Sequence, residues 1–500
     1  MSVGARVAIV AALATLASSV AGAAHTTAAA SSVGTASTAN TTAAPRVAGT
    51  ACAKLGLRRT VKGVSYVCTR TGSGSSARLR WTAGAAPTKS TTTTTVPAPT
   101  LPALASGDRE ACRLRDQSAE RARRRPADVG LVVGFPRIET NFPPAGRLGV
   151  ALIPIDFADL PGEADPVGRV QTQMTRFSDW WDMVSEGRVG FDWRVHRTWV
   201  RVPGSAADYA LNRSRSDDNR LARAAFAAAD PVFDFTGITS VHFLLPKAQT
   251  FMAESVQGFL HSEFGQNDGG YRTAEGRIVN YTVVGTYFDQ QYRTYWSYWA
   301  HETGHMFPLP DLYDHRGQWW NGTILPIPIG PFSGYDMMSS QDGPSRTLSA
   351  WLRWIMAWLS DAQVWCNAPA AIAAGGPVEL SLAPIDSRTG TPRYKAAMIP
   401  ISSSRLLVVE SRRTHLDFDC PRVTRNGVIV YTVTTTTGHG EGIQALVAPT
   451  GRGLVYVTDC NSPQQLDAVL GVGDSVTAEG ITVRVTASGA WDTVRISAAG

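Results

Sequence analysis

Beyond its first two dozen residues the chain has no apolar run of the ~20 residues needed to cross a bilayer, which excludes a multi-span membrane protein. Cysteine is scarce, six residues in 500, and no two form a CxxC pair. A cysteine-built zinc site and a thioredoxin-like redox motif are therefore both absent. Concentrated positive charge is missing too. The net charge of +6 is spread over many arginines, among them Arg121 and Arg123–Arg125, and no basic-aromatic module accompanies them. Nucleic-acid binding is not expected, and the arginine run reads as a solvated face, with a processing site or a grip on an anionic cell surface as the alternatives. Glutamate is absent between Glu302 and Glu379, and no aromatic stripe marks a carbohydrate-binding face in the last third.

The composition that remains, 44% hydrophobic and 18% charged, is that of a globular chain long enough for two or three domains. Residues 1–23 read as a secretory signal, with Arg6 in the charged region, Val7–Val20 as the apolar core and Ala21-Gly-Ala23 as the cleavage site. Residues 24–50 are Ala, Thr and Ser with almost no apolar bulk and are expected to be disordered. Residues 51–82 hold Cys52, Cys68 and short apolar strands between glycines, a piece small enough to need a covalent staple. The Thr- and Pro-rich stretch 83–105 is a linker. A main domain spans 106–365, and 366–500 is β-rich. Export fits the cysteines: Cys52 pairs with Cys68. Of the three pairings open to Cys112, Cys366, Cys420 and Cys460, the one joining Cys420 to Cys460 is preferred. A free Cys112 thiolate blocking a metal is the less favoured alternative to a disulfide.

One stretch carries chemistry. Residues 294–314 contain His301-Glu302-x-x-His305, and on a helix positions i and i+4 lie one above the other. The two imidazoles can then bind one metal ion, with Glu302 leaning toward the same place. Catalytic zinc takes such ligands and keeps one position open for water, and a nearby carboxylate can serve as general base. Tyr295, Trp296, Tyr298, Trp299, Met306 and Phe307 surround the motif with apolar bulk, where two histidines and a glutamate would be costly without a partner. The third ligand in one class of zinc peptidases lies six residues past the second histidine, here Asp311; in another it is a glutamate on a later helix, for which no nearby candidate exists. Pro308 and Pro310 stop the helix where a turn is required. Asp311 is the expected ligand, with Asp314 or His315 as substitutes.

The segment His-Glu-Thr-Gly-His-Met-Phe-Pro-Leu-Pro-Asp-Leu-Tyr-Asp resembles the signature of the M6, or immune-inhibitor-A-like, metallopeptidases, HExxHxxGxxD followed by Leu-Tyr-Asp. That secreted bacterial family is a branch of the metzincins. Ser333-Gly-Tyr-Asp-Met-Met-Ser339 resembles the family's Gly-x-Trp-Asp-x-Met segment, which implies that Met338 forms the turn beneath the metal. Leu348–Leu359 resembles the helix that follows. Leu148–Phe157 is similar to the family's opening strand, and Ser185-x-Gly187 to a turn into a strand. The family's glycine is Pro308 here, and since only glycine readily takes positive φ, the local turn is expected to differ.

The resemblance implies an α+β fold, a metzincin-like domain with a twisted mixed sheet and an active-site helix, followed by a β-rich module. Period-two alternation in Val378–Leu382, Leu406–Glu410, Gly427–Val433, Gly453–Thr458 and Ile481–Thr486 supports that last part. Residues 107–147 have helical composition and read as a prosegment remnant or a first helix. Asp217, Asp218 and Asn219 are a helix N-cap or, failing that, calcium ligands. His242 and His261 are read as structural, and Tyr335 as a candidate transition-state stabiliser. The function expected is a secreted Zn2+-dependent endopeptidase with Glu302 as base, His301, His305 and Asp311 as metal ligands and a protein as substrate. Residues 51–82 are the candidate contact with the cell envelope. An adhesion protein on a peptidase scaffold and a peptidase of peptidoglycan cross-links are the alternatives.

Overall fold

In a computed structural model the chain divides into two compact units, Met1–Val96 and Pro97–Gly500. The described residues are 50–52, 58–61, 64–71 and 78–83 of the first. Of the second they are 105–500, with breaks longer than three residues at 122–130, 210–214, 248–257, 260–269, 285–294, 315–318, 325–330, 389–393 and 420–425. The signal, almost all of the Ala/Thr-rich stretch and most of the linker lie outside them, as do Arg123–Arg125, His261, His315, Cys420 and Cys460.

The first unit is a three-stranded antiparallel sheet, β1 (Arg58–Val61), β2 (Val64–Thr71) and β3 (Arg78–Ala83). Cys68 stands opposite Trp81 in the register, both buried, and Cys68 is bonded to Cys52. A sheet this small buries little, so the crosslink does much of the stabilising that a core would otherwise do.

The second unit begins with a mostly parallel sheet. β4 (Gly146–Asp156) lies between β5 (Val189–Val195) and β7 (Ile238–Leu244), with β6 (Val200–Arg201) paired to its far end. β9 (Asn280–Val284) continues the parallel order beside β7, and β8 (Gly258–Phe259) closes the edge antiparallel. β4 is a continuous apolar run because both of its faces are covered. Leu148, Val150 and Leu152 point into one core, with α1 (Gln171–Val184) and α3 (Tyr295–Met306). Ala151, Ile153 and Ile155 point into another, with α2 (Arg215–Ala229).

After α4 (Ala350–Ile355), capped by the Ser349 side chain, strands dominate. A five-stranded sheet runs β10 (Val364–Cys366), β12 (Ala396–Pro400), β13 (Arg405–Arg412), β14 (Gly427–Thr434), β15 (Gln444–Leu446). A four-stranded antiparallel sheet is ordered β11 (Val378–Leu382), β18 (Asp492–Ala498), β17 (Ile481–Ser488), β16 (Ser475–Ala478). Alternation along β13 shows how the layers stack. Leu407 and Val409 face the four-stranded sheet, whereas Leu406 and Val408 join the core that holds α1 and α3. One face of this sheet therefore shares a core with the helix carrying the HExxH. Cys112 and Cys366, bonded across a sequence separation of 254, tie the start of this unit to β10.

The described part of 107–147 holds a 3-10 turn, Arg109–Cys112, helical residues Ala119 and Arg121, and no helix over 131–139; Gln117 N–H and Val132 N–H donate to the distant carbonyls of Thr435 and Pro308. One expectation needs correction. α2 starts at Arg215, so Asp217 and Asp218 lie within its first turn and Asn219 just past it, none of them at its N-cap. The strand that follows the Ser185–Gly187 turn, β5, ends at Val195, and Trp199 beyond it turns its indole to the Glu163 carbonyl. Among the described residues no helix is long and apolar enough to cross a membrane.

Candidate metal centre

α3 is built from two unlike faces. Trp296, Trp299, Ala300, Met306 and Phe307 recur at helical spacing and are buried against α1, where Trp296 tilts against Trp180 and Trp299 meets Phe177 edge-on. Gln173 of α1 accepts from the Trp296 N–H at the helix start, and Ser240 of β7 reaches Met306 at its end. With the apolar face so fixed, His301 and His305 are carried on the opposite one. Their rings lie 5.1 Å apart and nearly perpendicular.

The chain then leaves the helix by a sharp turn. Leu309 N–H donates to Gly304 O at 2.9 Å, and Pro308 stands at φ 28°, in the left-handed region. The locally different turn expected of a proline is not what forms: the residue takes a glycine-type backbone and carries strain there. The turn returns Asp311 to the histidines. Its Oδ1 is 3.1 Å from His301 Nε2 and 3.3 Å from His305 Nε2, and all three side chains are about 95% buried. One ligand atom from each lies within 4.8 Å of the others, so this group could hold a metal ion. Asp314 takes no part in it; it bridges to Glu441.

Which nitrogen faces the centre is decided by backbone carbonyls. His301 Nδ1 donates to Met337 O at 2.9 Å and His305 Nδ1 to Leu309 O at 2.8 Å, and a carbonyl can only accept. Each neutral imidazole therefore has its proton on Nδ1 and its lone pair on Nε2, turned toward Asp311. Outer hydrogen bonds of this kind fix ligand orientation in metal sites.

The loop 332–339 supplies the floor. Met338 Sδ sits only 2.5 Å from where a Cβ on Gly304 would be, so any side chain at this helical position would displace the Met338 thioether. Leu312 N–H donates to Met338 O. Asp336 organises the loop: its two carboxylate oxygens accept from Met338 N–H at 2.7 Å and Ser349 N–H at 2.6 Å. Burial pushes its carboxyl up to about 6, against those hydrogen bonds and the nearby Arg412. Tyr335 is fully buried and its hydroxyl accepts from Ala468 N–H, which gives it a core partner instead of an open face.

Electrostatics at the centre call for positive charge. Burial alone would lower His301, yet the hydrogen bond and charge of Asp311 outweigh it and lift the imidazole to about 9. Glu302, partly buried, is raised above the usual carboxylate range by desolvation, with His301 and His305 pulling the other way; Tyr298 hydrogen-bonds to it. Tyr313, whose ring stacks at 6.3 Å over His301, is raised by burial and by the charges of Asp311 and Glu302. A cation among these groups would relieve all three effects.

Sequence reasoning singled out neither Tyr313, Tyr298 nor Asp336 for a role here, and it missed His439, which contacts Asp311 from the loop between β14 and β15. Tyr313 and Asp336 did fall inside the quoted segments; His439 had no local signal at all. His242 is structural: it shares a hydrogen bond with Thr282 Oγ1 at 2.7 Å among Phe177, Trp193 and Trp299. The side chains of Asp217, Asp218 and Asn219 lie outside the described residues. No protein-family model matches this chain, and no curated protein matches it.

Proposed function

We propose that this chain is a secreted zinc-dependent endopeptidase resembling the M6 branch of the metzincins. The observation that carries the proposal is the buried convergence of His301 Nε2, His305 Nε2 and Asp311 Oδ1, with both imidazole tautomers set to expose a lone pair. Two imidazoles and a carboxylate are a donor set suited to catalytic zinc, which leaves a fourth position open. When bound, the ion would lower the pKa of water to about 7 and polarise the scissile carbonyl.

The protein's own groups do the rest. His301, His305 and Asp311 hold the ion, and the Met338 loop keeps the helix and Asp311 in register. Glu302, one residue from the first ligand and steadied by Tyr298, accepts the proton of the attacking water and returns it to the departing amine. Tyr313, beside His301, is better placed than Tyr335 to meet a substrate oxygen. The catalytic domain is assigned to 106–365 and the β-rich part to 366–500. The two disulfides fit the oxidising compartment that export would reach.

The test is proteolysis of a casein-like substrate together with metal analysis. Glu302→Gln should keep zinc and lose roughly 10²–10⁴ in rate, while His301→Ala loses both. Wild-type cleavage by Glu302→Gln would remove Glu302 as the base, and chelator-insensitive cleavage would remove the metal.

A further inference from the structure

We propose that His439 is a positioning residue of the metal centre, so that the loop between β14 and β15 is part of the site and not of a neighbouring module. The inference rests on the metal-binding reading above. His439 lies 128 residues from Asp311 in sequence, yet its Nδ1 accepts the Asp311 N–H at 2.9 Å. Gly440 N–H donates to Asp311 O at 3.1 Å, so the aspartate backbone is gripped at both of its polar groups by the same loop. Because Nδ1 accepts, the ring proton is on Nε2, which stands 3.5 Å from Asp311 Oδ2. The imidazole is also perpendicular to His305 at 5.8 Å. Next to it, Glu441 pairs with Asp314 and steadies the loop through Gly438 N–H.

The need for such a grip follows from where Asp311 sits. The two histidines are oriented by a helix and by the Met337 and Leu309 carbonyls, whereas Asp311 follows the strained turn at Pro308, where no helix holds it. His439 does for the carboxylate what those carbonyls do for the imidazoles: it fixes the backbone and lies beside the oxygen not aimed at Nε2 of the ligands. Losing an outer partner of this kind costs about 10–100-fold in metal affinity. The ring is at the rim of the site, with its side chain 24% exposed, so truncation does not open the core.

The experiment uses the full chain, stripped with a chelator and titrated with Zn2+ against a chromophoric competitor. His439→Ala should bind zinc about 10–100-fold more weakly, with the melting temperature of the metal-free protein little changed. His439→Asn, whose Oδ1 can occupy the place of Nδ1 and accept the Asp311 N–H, should recover most of that affinity. His305→Ala, as the control, should not bind at this site. Wild-type affinity in His439→Ala would overturn the inference while leaving the metal reading intact. So would a loss that Asn does not restore and that an equal drop in metal-free stability accounts for. If the unaltered protein takes up no zinc, both readings fall.

Discussion

Two clusters of buried charge share this unit, and they are satisfied in opposite ways. Under α4, Arg412 pairs with Glu410, Arg353 with Asp386, and both arginines are fully buried. Glu410 also accepts from Tyr431 Oη and from Ala350 N–H, and Arg353 donates to the Leu348 and Ile385 carbonyls. Every charge there has its counterpart in the chain. At the metal centre the arrangement is reversed. Lone pairs of two imidazoles converge on a carboxylate, a second carboxylate lies beside them, and no arginine or lysine is described among them. A self-neutralising cluster is architecture; a buried cluster that turns its lone pairs toward one another could hold a cation.

That contrast can be broken by substitution. The largest effect is expected in the self-paired cluster: Arg412→Leu leaves Glu410 buried without its cation and should cost about 3–5 kcal/mol in chemical denaturation. A neutral result would mean the pairing is dispensable and the contrast is empty. Next, the stripped protein given free Zn2+ at about 100 times its Kd should gain about 2.7 kcal/mol, and His305→Ala should gain nothing. Equal gains would show that zinc acts elsewhere.

Histidine itself sharpens the comparison. His301 is lifted to about 9 by Asp311, whereas His242, equally buried with no acid beside it, is pushed down to about 3 by desolvation. The folded protein therefore refuses at His242 a proton that the unfolded chain accepts below its ordinary 6.5. Stability should fall as pH drops from 6.5 toward 3, by up to about 1.4 kcal/mol for each pH unit from this residue. His242→Phe should flatten that part of the melting-against-pH curve, and an unchanged slope would assign it to other groups. The smallest effect concerns the turn. Pro308→Gly relieves left-handed strain of about 1–3 kcal/mol but frees the unfolded chain, for a net gain near 1 kcal/mol, read from the denaturation midpoint.

The strands were largely legible. Val378–Leu382 matches β11 to the residue, and Gly427–Val433 and Leu406–Glu410 lie within β14 and β13, because alternation in a half- or fully buried strand is a local property. Composition could not show that Gln117 and Val132 pair with the distant carbonyls of Thr435 and Pro308, because such partners lie far away in sequence.

What the sequence by itself determined is the pair of imidazoles. A four-residue spacing on a helix with one apolar face leaves them no other arrangement, since the 3.6-residue turn is set by the backbone and burial chooses the face. The Cys52–Cys68 pairing was equally local, across 16 residues. Only the tertiary structure decided that Cys112 meets Cys366, that carbonyls of residues 309 and 337 turn both Nε2 atoms inward, and that His439 arrives beside Asp311. Those contacts join segments up to 254 residues apart. They depend on a core assembled from helices and strands far apart in sequence, and no short stretch contains it.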